Sequence, residues 1–203
     1  MNDLNFLHKN SRTAEQREIE IKLALENIAN LRRDLCSRGF RIVAPRFHEL
    51  NLVFDTPGRD LARQGRLLRL RHAGDHSVLT AKSPVTTDRD HAGYKVRSEI
   101  EVRVSDFSLT RSILENSGFG VVFSYEKYRE ILENAGIHVM LDETPVGNFM
   151  EIEGDPPAID RLAAELGFRK NNYITANYRS LFHAGGGTGD MLFPDSPHES
   201  GRD

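Results

Sequence analysis

The tripeptide Glu-Ile-Glu occurs three times in the chain, at residues 18–20, 99–101 and 151–153. Side chains of a β-strand alternate between its two faces, so both glutamates of each tripeptide share a face and the isoleucine points the other way. Carboxylates held this close repel each other unless a metal, a basic partner or bulk water compensates their charge. The repeat therefore indicates either solvated strand faces or a site where positive charge is supplied.

Several other segments place charged residues along one face in the same way. The charged side chains on these faces are Glu18, Glu20, Lys22, Arg69, Arg71, Lys82, Arg97, Glu99, Glu101, Arg103, Lys127, Arg129, Glu151 and Glu153. A half-exposed antiparallel sheet also alternates apolar and polar residues. Such solvated faces draw freely on Ser, Thr, Gln and Asn, however, whereas these faces carry almost only full charges. We therefore favour a closed barrel in which the charged faces line the interior.

A lumen of this composition predicts a particular kind of ligand. Arginine and lysine suit phosphate oxygens, and paired carboxylates suit Mg²⁺, which commonly bridges carboxylates to substrate phosphates. The chain contains no GxxxxGK[ST] loop, so side chains would hold the phosphates instead of backbone amides. Acids and bases together predict a metal-bound polyphosphate.

The elements that must position these residues follow a repeated order. Each Glu-Ile-Glu strand precedes an amphipathic helical pattern that ends in Gly-Phe, with the glycines at Gly39, Gly118 and Gly167. The remaining segments read as strands joined by short turns. The pattern predicts an α+β fold in which helices pack outside an antiparallel sheet or barrel.

Composition and length limit the other possibilities. The chain has 203 residues, of which 38% are hydrophobic and 28% charged, which is typical of one globular domain. A net charge of −3 argues against a general nucleic-acid surface. No apolar run reaches the roughly 18 to 20 residues that span a bilayer, and no secretion signal is recognisable, so we expect a cytoplasmic protein. The single cysteine, Cys36, is interpreted as a small buried residue in a helix.

The domain boundaries follow from the ends of the patterned region. We expect a flexible leader over residues 1–16, the folded domain over 17–183 and a disordered C-terminal tail over 184–203, which is rich in Gly, Pro, Ser and Asp. Within that tail, the cluster Met191-Leu192-Phe193 could dock on the domain.

The segment EIEIK resembles the ExExK signature of the CYTH proteins, also called triphosphate tunnel metalloenzymes. This family includes class IV (CyaB-type) adenylate cyclases, thiamine triphosphatases and inorganic triphosphatases. The resemblance runs from about residue 17 to 182 and continues in the family's order through NLVFDTP with GRLLRLR, LTAKSP, RSEIEVRV, YEKYRE, VMLDETPVGNFMEIEG and NYRSLF.

The resemblance implies a closed eight-stranded antiparallel tunnel with Mg²⁺ or Mn²⁺ as the cofactor. It implies metal-binding carboxylates at Glu18, Glu20, Glu99, Glu101, Asp142, Glu151 and Glu153. It also implies a triphosphate cradle formed by Lys22, Arg69, Arg71, Lys82, Arg97, Lys127 and Arg129. Lys22, Lys82 and Glu20 are the candidate catalytic residues. The expected partner is a small molecule such as inorganic triphosphate or ATP, with neither nucleic acid nor membrane, and a homodimer is left open.

Three functions remain open on the sequence. The first is metal-dependent hydrolysis of a linear triphosphate, which needs only metals and a charged cradle. The second is the class IV cyclase reaction from ATP to cyclic AMP and pyrophosphate. An HFxG-type segment, which some cyclases carry before ExExK, is absent here and argues against this reaction. The segments YEKYRE and LDETPVGNFMEIEG argue for it, because they look most like bacterial proteins grouped with these cyclases. The third is a non-catalytic module that binds polyphosphate or nucleotide.

Overall fold

A closed barrel of eight antiparallel strands forms the body of the protein, as the resemblance implied. This computed structural model describes residues 15–85 and 93–196. The strands are β1 (Gln16–Leu25), β2 (Arg41–Asp55), β3 (Leu67–Ala73), β4 (His76–Pro84), β5 (Lys95–Val104), β6 (Gly120–Asn134), β7 (Ile137–Thr144) and β8 (Gly147–Glu153). Around the ring their order is β1-β5-β4-β3-β2-β6-β7-β8, which places β2 opposite β1.

Short helices connect and cover the strands. They are α1 (Ile28–Ser37), α2 (Asp60–Arg63), α3 (Phe107–Asn116), α4 (Pro156–Glu165) and α5 (Tyr178–Ala184), with a 3₁₀ turn at Lys170–Asn172. Helices α1, α3 and α4 follow β1, β5 and β8, the three strands that carry Glu-Ile-Glu, so the predicted internal repeat is confirmed.

All three repeated helices end in the same way. Gly39, Gly118 and Gly167 have φ angles of 89°, 91° and 86°, in the left-handed region that glycine adopts without a steric penalty. The amide of the phenylalanine after each glycine donates to a carbonyl five residues earlier, as in a Schellman motif; the distances are 3.1 Å at Phe40, 3.1 Å at Phe119 and 2.9 Å at Phe168. The Gly-Phe dipeptide therefore stops each helix and turns the chain.

The hydrophobic core lies between the outer face of the barrel and the helices. Its largest cluster includes Ile21, Leu23 and Ile152, which alternate with the charged residues of β1 and β8, together with Leu35 from α1 and Ile159 from α4. Because the apolar faces of the strands are buried outside, their charged faces must point into the lumen. The prediction that Cys36 is buried is wrong, because its side chain is exposed. The buried residue of α1 is its neighbour Leu35.

The C-terminal segment differs from the expectation of disorder as far as residue 196. The Met191 amide donates to the Ser124 carbonyl at 2.9 Å, and the Glu126 amide donates to the Met191 carbonyl at 3.0 Å. The Met191 side chain is only 1% exposed. The reason is that β6 extends beyond the end of β7, so its free edge and the adjoining apolar cluster accept this short stretch. Residues 1–14 and 197–203, which were predicted to be flexible, lie outside the described residues.

Among the described residues, no helix has the length and hydrophobicity needed to cross a membrane.

Candidate functional site

The barrel encloses a cavity of about 1070 Å³ that is lined by charged side chains together with apolar ones. Every residue predicted from the sequence to belong to the site lines this cavity except Asp142. The alternation of side chains along each strand explains the result, because residues two apart on a strand face the same side. The sequence therefore located the lumen-facing residues correctly, although their roles stay predictions.

Acids are concentrated on one wall of the cavity and bases on the facing wall, although Lys22, Lys95, Arg97 and Arg103 also stand on strands of the acidic wall and Glu49 on a strand of the basic wall. The acidic wall is formed by the adjacent strands β8, β1 and β5, which carry Glu18, Glu20, Glu99, Glu101, Glu151 and Glu153. The basic wall is formed by β3, β2 and β6, which carry Arg69, Arg71, Lys127 and Arg129. The antiparallel register sets neighbours within the acidic wall directly beside each other, for example Glu20 beside Glu153.

Lysines compensate part of the charge on the acidic wall. Lys82 Nζ lies 2.6 Å from Glu18 Oε2 and 3.1 Å from Glu99 Oε1, and Lys95 Nζ pairs with Glu20. Burial opposes ionisation of Glu18, but Lys82 and Lys95 outweigh it and hold the pKa of Glu18 below its ordinary value.

The compensation of the acidic wall is incomplete. Burial, together with Glu18, Glu20 and Glu99, raises the pKa of Glu153 to about 7. The pKa of Glu99 is also raised, first by burial, although Lys82 acts against the shift. Burial is the largest cause of both shifts, and at Glu153 three neighbouring glutamates add to it. A cation bound beside Glu153 would relieve this repulsion.

The basic wall contains its own buried counter-charges. Arg129 donates Nε to Asp142 Oδ1 at 2.7 Å and Nη2 to Asp142 Oδ2 at 2.6 Å, and Lys127 Nζ donates to Asp142 Oδ2 at 3.0 Å. Glu49 is 1% exposed and lies 3.6 Å from Lys127 Nζ and 3.7 Å from Arg71 Nη1. Burial opposes ionisation of Glu49, yet Lys127 and Arg71 hold its pKa far below the ordinary value.

Two arginines of this wall are held more loosely than Arg129. Arg69 Nη1 donates to Tyr125 OH at 3.3 Å and Arg69 Nη2 to Thr80 Oγ1 at 3.4 Å, whereas Arg71 Nη2 reaches Glu101 Oε1 at 3.4 Å. In residues 15–85 and 93–196, the buried Nε atoms of both arginines have no hydrogen-bond partner. Buried donors normally find a partner, so these guanidinium groups retain capacity to bind an anion.

Asp142, which was predicted to be a metal ligand, is not among the residues that line the cavity and is paired with cations. It is completely buried, and its two oxygens accept hydrogen bonds from Arg129, Lys127 and the Tyr178 hydroxyl. Glu151 is similarly occupied: Lys22 Nζ lies 3.2 Å away and Arg129 contacts its other oxygen. Burial opposes the ionisation of Glu151, but Lys22 and Arg129 hold its pKa well below the ordinary range. Both carboxylates serve as partners of the cations.

Sequence reasoning missed several residues of the site. Lys95 could have been found by extending the alternation of β5 to the residue two before Arg97, and Glu49 by applying the same alternation to β2, where it is followed by the apolar Leu50. The contacts of Tyr125 with Arg69 and of Tyr178 with Asp142 had no comparable signal, because their positions depend on the closure of the barrel and on where the C-terminal helix lands. Lys95 matters most of these, since it pairs with Glu20.

No ready metal-binding group of three or more His, Cys, Asp or Glu side chains occurs in the described part of the chain. The chemistry of the donor set nevertheless fits a hard divalent cation, which prefers oxygen ligands: Glu20 lies beside Glu153 in the strand register, and Glu18 and Glu99 also act on the Glu153 carboxyl. Lys82 and Lys95 currently pair with the carboxylates that would serve as ligands.

The closed eight-stranded barrel with its charged lumen is the tunnel fold that the sequence resemblance implied, and comparison with known families agrees. The CYTH domain model matches residues 16–174, and the chain belongs to this family.

Similar proteins have been described in archaea, bacteria and a plant. A Methanocaldococcus jannaschii protein named "putative adenylate cyclase" is 28% identical over 175 residues, which cover 81% of this chain and 97% of that protein. A Vibrio parahaemolyticus structure, also called a "putative adenylate cyclase", has a TM-score of 0.70 at 21% identity and covers 84% of this chain and 99% of its own. A Hippeastrum structure, called a "putative adenylyl cyclase" that reveals a dominant triphosphatase activity, has a TM-score of 0.58 at 22% identity and covers 87% of this chain and 98% of its own. At these identities the two structures establish the shared fold.

Proposed function

We propose that this protein is a divalent-metal-dependent enzyme that hydrolyses the phosphoanhydride bond of a linear triphosphate inside the tunnel. The observation that carries the proposal is the placement of a carboxylate wall opposite an arginine and lysine wall across a cavity of about 1070 Å³. A linear triphosphate is a strongly anionic chain, and it would lie against the basic wall while facing carboxylates that need a cation.

The basic wall would supply the anion site. The hydrogen bonds of Arg69 with Tyr125 and of Arg71 with Glu101 are long, and the Nε donors of both arginines have no partner among the described residues. Phosphate oxygens could therefore replace these weak hydrogen bonds with stronger, charge-assisted ones. Lys127 and Arg129 are instead fixed by Asp142 and Glu49, which keeps their charge in place before the substrate arrives. Phosphoryl transfer depends mainly on such positioning and on neutralisation of charge.

The acidic wall would hold Mg²⁺ or Mn²⁺ through Glu18, Glu20, Glu99 and Glu153. Of the carboxylates predicted as ligands, these four remain after Asp142 and Glu151 are assigned to cations and Glu101 to Arg71 and Thr80. When bound, a divalent cation neutralises charge on phosphate oxygens and can lower the pKa of a coordinated water.

Lys82 and Lys95 would change partners during binding. They neutralise Glu18 and Glu20 in this structure, whereas Lys22 would stay beside Glu151. The triphosphate would attract these ammonium groups and free the glutamates for the cation. In hydrolysis, water attacks the terminal phosphorus, the bond from that phosphorus to the bridging oxygen breaks, and the diphosphate leaves.

The class IV cyclase reaction is the second candidate, and the name of the Methanocaldococcus relative favours it. That reaction needs a nucleoside site and an aligned ribose 3′-hydroxyl in addition to the cradle. The description of the Hippeastrum protein indicates that the name cyclase does not exclude triphosphatase activity within this fold. A purely binding module would need the basic wall but not the carboxylate wall.

Product analysis distinguishes the candidates. The protein should be incubated with Mg²⁺ or Mn²⁺ and with either inorganic triphosphate or ATP, and the products separated by ion-exchange chromatography. We expect orthophosphate from inorganic triphosphate, no cyclic AMP from ATP, and no turnover after chelation. Cyclic AMP formed in step with pyrophosphate would establish the cyclase, turnover that survives chelation would contradict the metal assignment, and tight triphosphate binding without any product would indicate a binding module.

A further inference from the structure

Tyr178 is a buried residue that joins the C-terminal helix to the lumen. The chain reaches it from an antiparallel bridge in which Ile174 pairs with Lys22 of β1, with hydrogen bonds of 3.2 and 2.8 Å. Tyr178 then begins α5, is only 6% exposed and lines the cavity. Its ring packs among Tyr125, Phe149 and Met191. A residue outside the barrel strands therefore contributes directly to the lining of the tunnel.

The hydroxyl and the ring of Tyr178 make two kinds of polar contact. The hydroxyl donates to Asp142 Oδ2 at 2.6 Å. Lys22 Nζ lies over the ring, 4.1 Å from its centroid, and Lys127 Nζ lies 5.2 Å from it. Ammonium groups at these distances are attracted to the face of an aromatic ring. One tyrosine thus contacts the anionic partner of the basic wall and two of its cations.

Asp142 connects these contacts to the rest of the wall. It accepts Lys127 at 3.0 Å and Arg129 at 2.7 and 2.6 Å, and all of these groups are buried. Lys22 receives a further restraint from the same segment, because its Nζ donates to the Ala176 carbonyl at 3.1 Å. A short charge-assisted hydrogen bond from Tyr178 fixes the carboxylate that orients two cations, while the ring and the segment before it fix a third.

We propose that Asp142 and Tyr178 form a positioning pair that sets Lys22, Lys127 and Arg129 for the triphosphate, and that the C-terminal helix is therefore part of the substrate site. The identity of the ligand as a triphosphate rests on the proposed function, whereas the positioning of the three cations does not. Asp142 acts here as a counter-ion of the cradle instead of a metal ligand.

A matched pair outside the tunnel separates positioning from simple stabilisation. Tyr173 donates to Asp160 Oδ1 at 2.9 Å, so it makes the same type of hydrogen bond from the same C-terminal segment. Its carboxylate partner contacts Tyr94 and Lys170 and not the cations of the basic wall. Tyr173→Phe is therefore the control for Tyr178→Phe.

The first measurement is positional and requires no substrate. Crystal structures of the wild type, Tyr178→Phe, Tyr178→Leu and Tyr173→Phe should be compared at the ammonium and guanidinium groups. We expect Lys127 and Arg129 to move in Tyr178→Phe, and Lys22 to move as well in Tyr178→Leu, which also removes the ring. Unchanged positions of all three cations in both Tyr178 variants would overturn the proposal.

The second measurement is binding of inorganic triphosphate by calorimetry, accompanied by steady-state kinetics and thermal melting. We expect about tenfold weaker binding and a similar rise in KM for Tyr178→Phe, with kcat nearly unchanged, because the cations bind ground state and transition state alike. Tyr173→Phe should alter melting only. Equal losses in binding for both variants, or a loss of kcat alone, would contradict the positioning role. If the cations move in the Tyr178 variants but the wild-type protein binds no triphosphate, the positioning pair is retained and the proposed function is rejected.

Discussion

The two walls of the tunnel differ in how their charges are balanced. On the basic wall, Asp142 and Glu49 are buried beside Lys127, Arg129 and Arg71, and these cations outweigh the effect of burial and hold the Glu49 pKa far below its ordinary value. On the acidic wall, lysines compensate only part of the charge, and the pKa of Glu153 is raised to about 7. The comparison indicates that the basic wall is organised before a ligand arrives, whereas the acidic wall is left to be completed by a cation.

Removing Arg129 is the strongest test of the organised wall. Arg129→Met leaves Asp142 and Glu151 without their guanidinium partner in a buried site, which typically costs about 3 to 5 kcal/mol. We expect a loss of this size in the free energy of unfolding measured with denaturant. The double variant Arg129→Met/Asp142→Leu should recover part of it because the orphaned charge is removed. A single variant as stable as the wild type would mean that the buried network is not needed.

Substitutions on the acidic wall should lower the activity of the protein more than its stability. The double variant Glu18→Gln/Glu20→Gln removes two carboxylates that we assign to the cation, and we expect a rate loss of roughly a hundredfold to a thousandfold, the range found when one preorganised electrostatic group is removed. The variant relieves repulsion with Glu153 but also removes the carboxylate partners of Lys82 and Lys95, so the two effects oppose each other and the melting temperature should fall less than in Arg129→Met. Calorimetric titration with Mn²⁺ checks the same assignment without turnover. Undiminished Mn²⁺ binding would contradict it.

The pH dependence of stability tests the excess charge at Glu153. Its pKa is raised from 4.5 to about 7 in the folded protein, so the folded state holds this proton more tightly than the unfolded chain. Ionised Glu153 therefore lowers stability increasingly as the pH rises from about 4.5 to 7, and by a constant amount above pH 7.

Glu153→Gln should consequently be more stable than the wild type at pH 8, by up to about 3 kcal/mol, and the advantage should largely disappear near pH 5. Denaturant unfolding at both pH values measures the difference. A variant that gains the same stability at pH 5 and pH 8 would indicate packing as the cause instead of charge. With the wild type, Mn²⁺ affinity should rise with pH up to about 7, because the cation competes with a proton.

A salt bridge outside the tunnel provides the smallest effect and the reference for the others. Arg46 contacts both oxygens of Glu143 at 2.8 and 3.0 Å, nearly the geometry of Arg129 with Asp142, but its side chain is 49% exposed. Exposed ion pairs contribute about 0 to 1 kcal/mol, so Arg46→Ala should lower the unfolding free energy by about 1 kcal/mol or less and leave activity unchanged. A loss as large as that of Arg129→Met would show that burial does not explain the contrast between the two pairs.

The sequence by itself determined the lumen. Strict alternation assigned residues such as Glu18, Arg69 and Lys127 to the faces that line the cavity, and the repeated Gly-Phe dipeptide predicted where helices end, because both signals depend on neighbours within a few positions of the chain. The resemblance to the CYTH family added the closed ring of strands.

Only the tertiary structure decided which charges pair with each other. Asp142 looked like a metal ligand in LDETP, yet the register of β6 and β7 sets it beside Arg129, and α5 brings Tyr178 to it from 36 residues away along the chain. Similarly, the sequence predicted a disordered tail in which Met191-Leu192-Phe193 could dock, and only the tertiary structure identified the free edge of β6 as the partner of Met191. Ion pairing and edge pairing depend on distances of a few ångströms between remote segments, and local composition does not encode those distances.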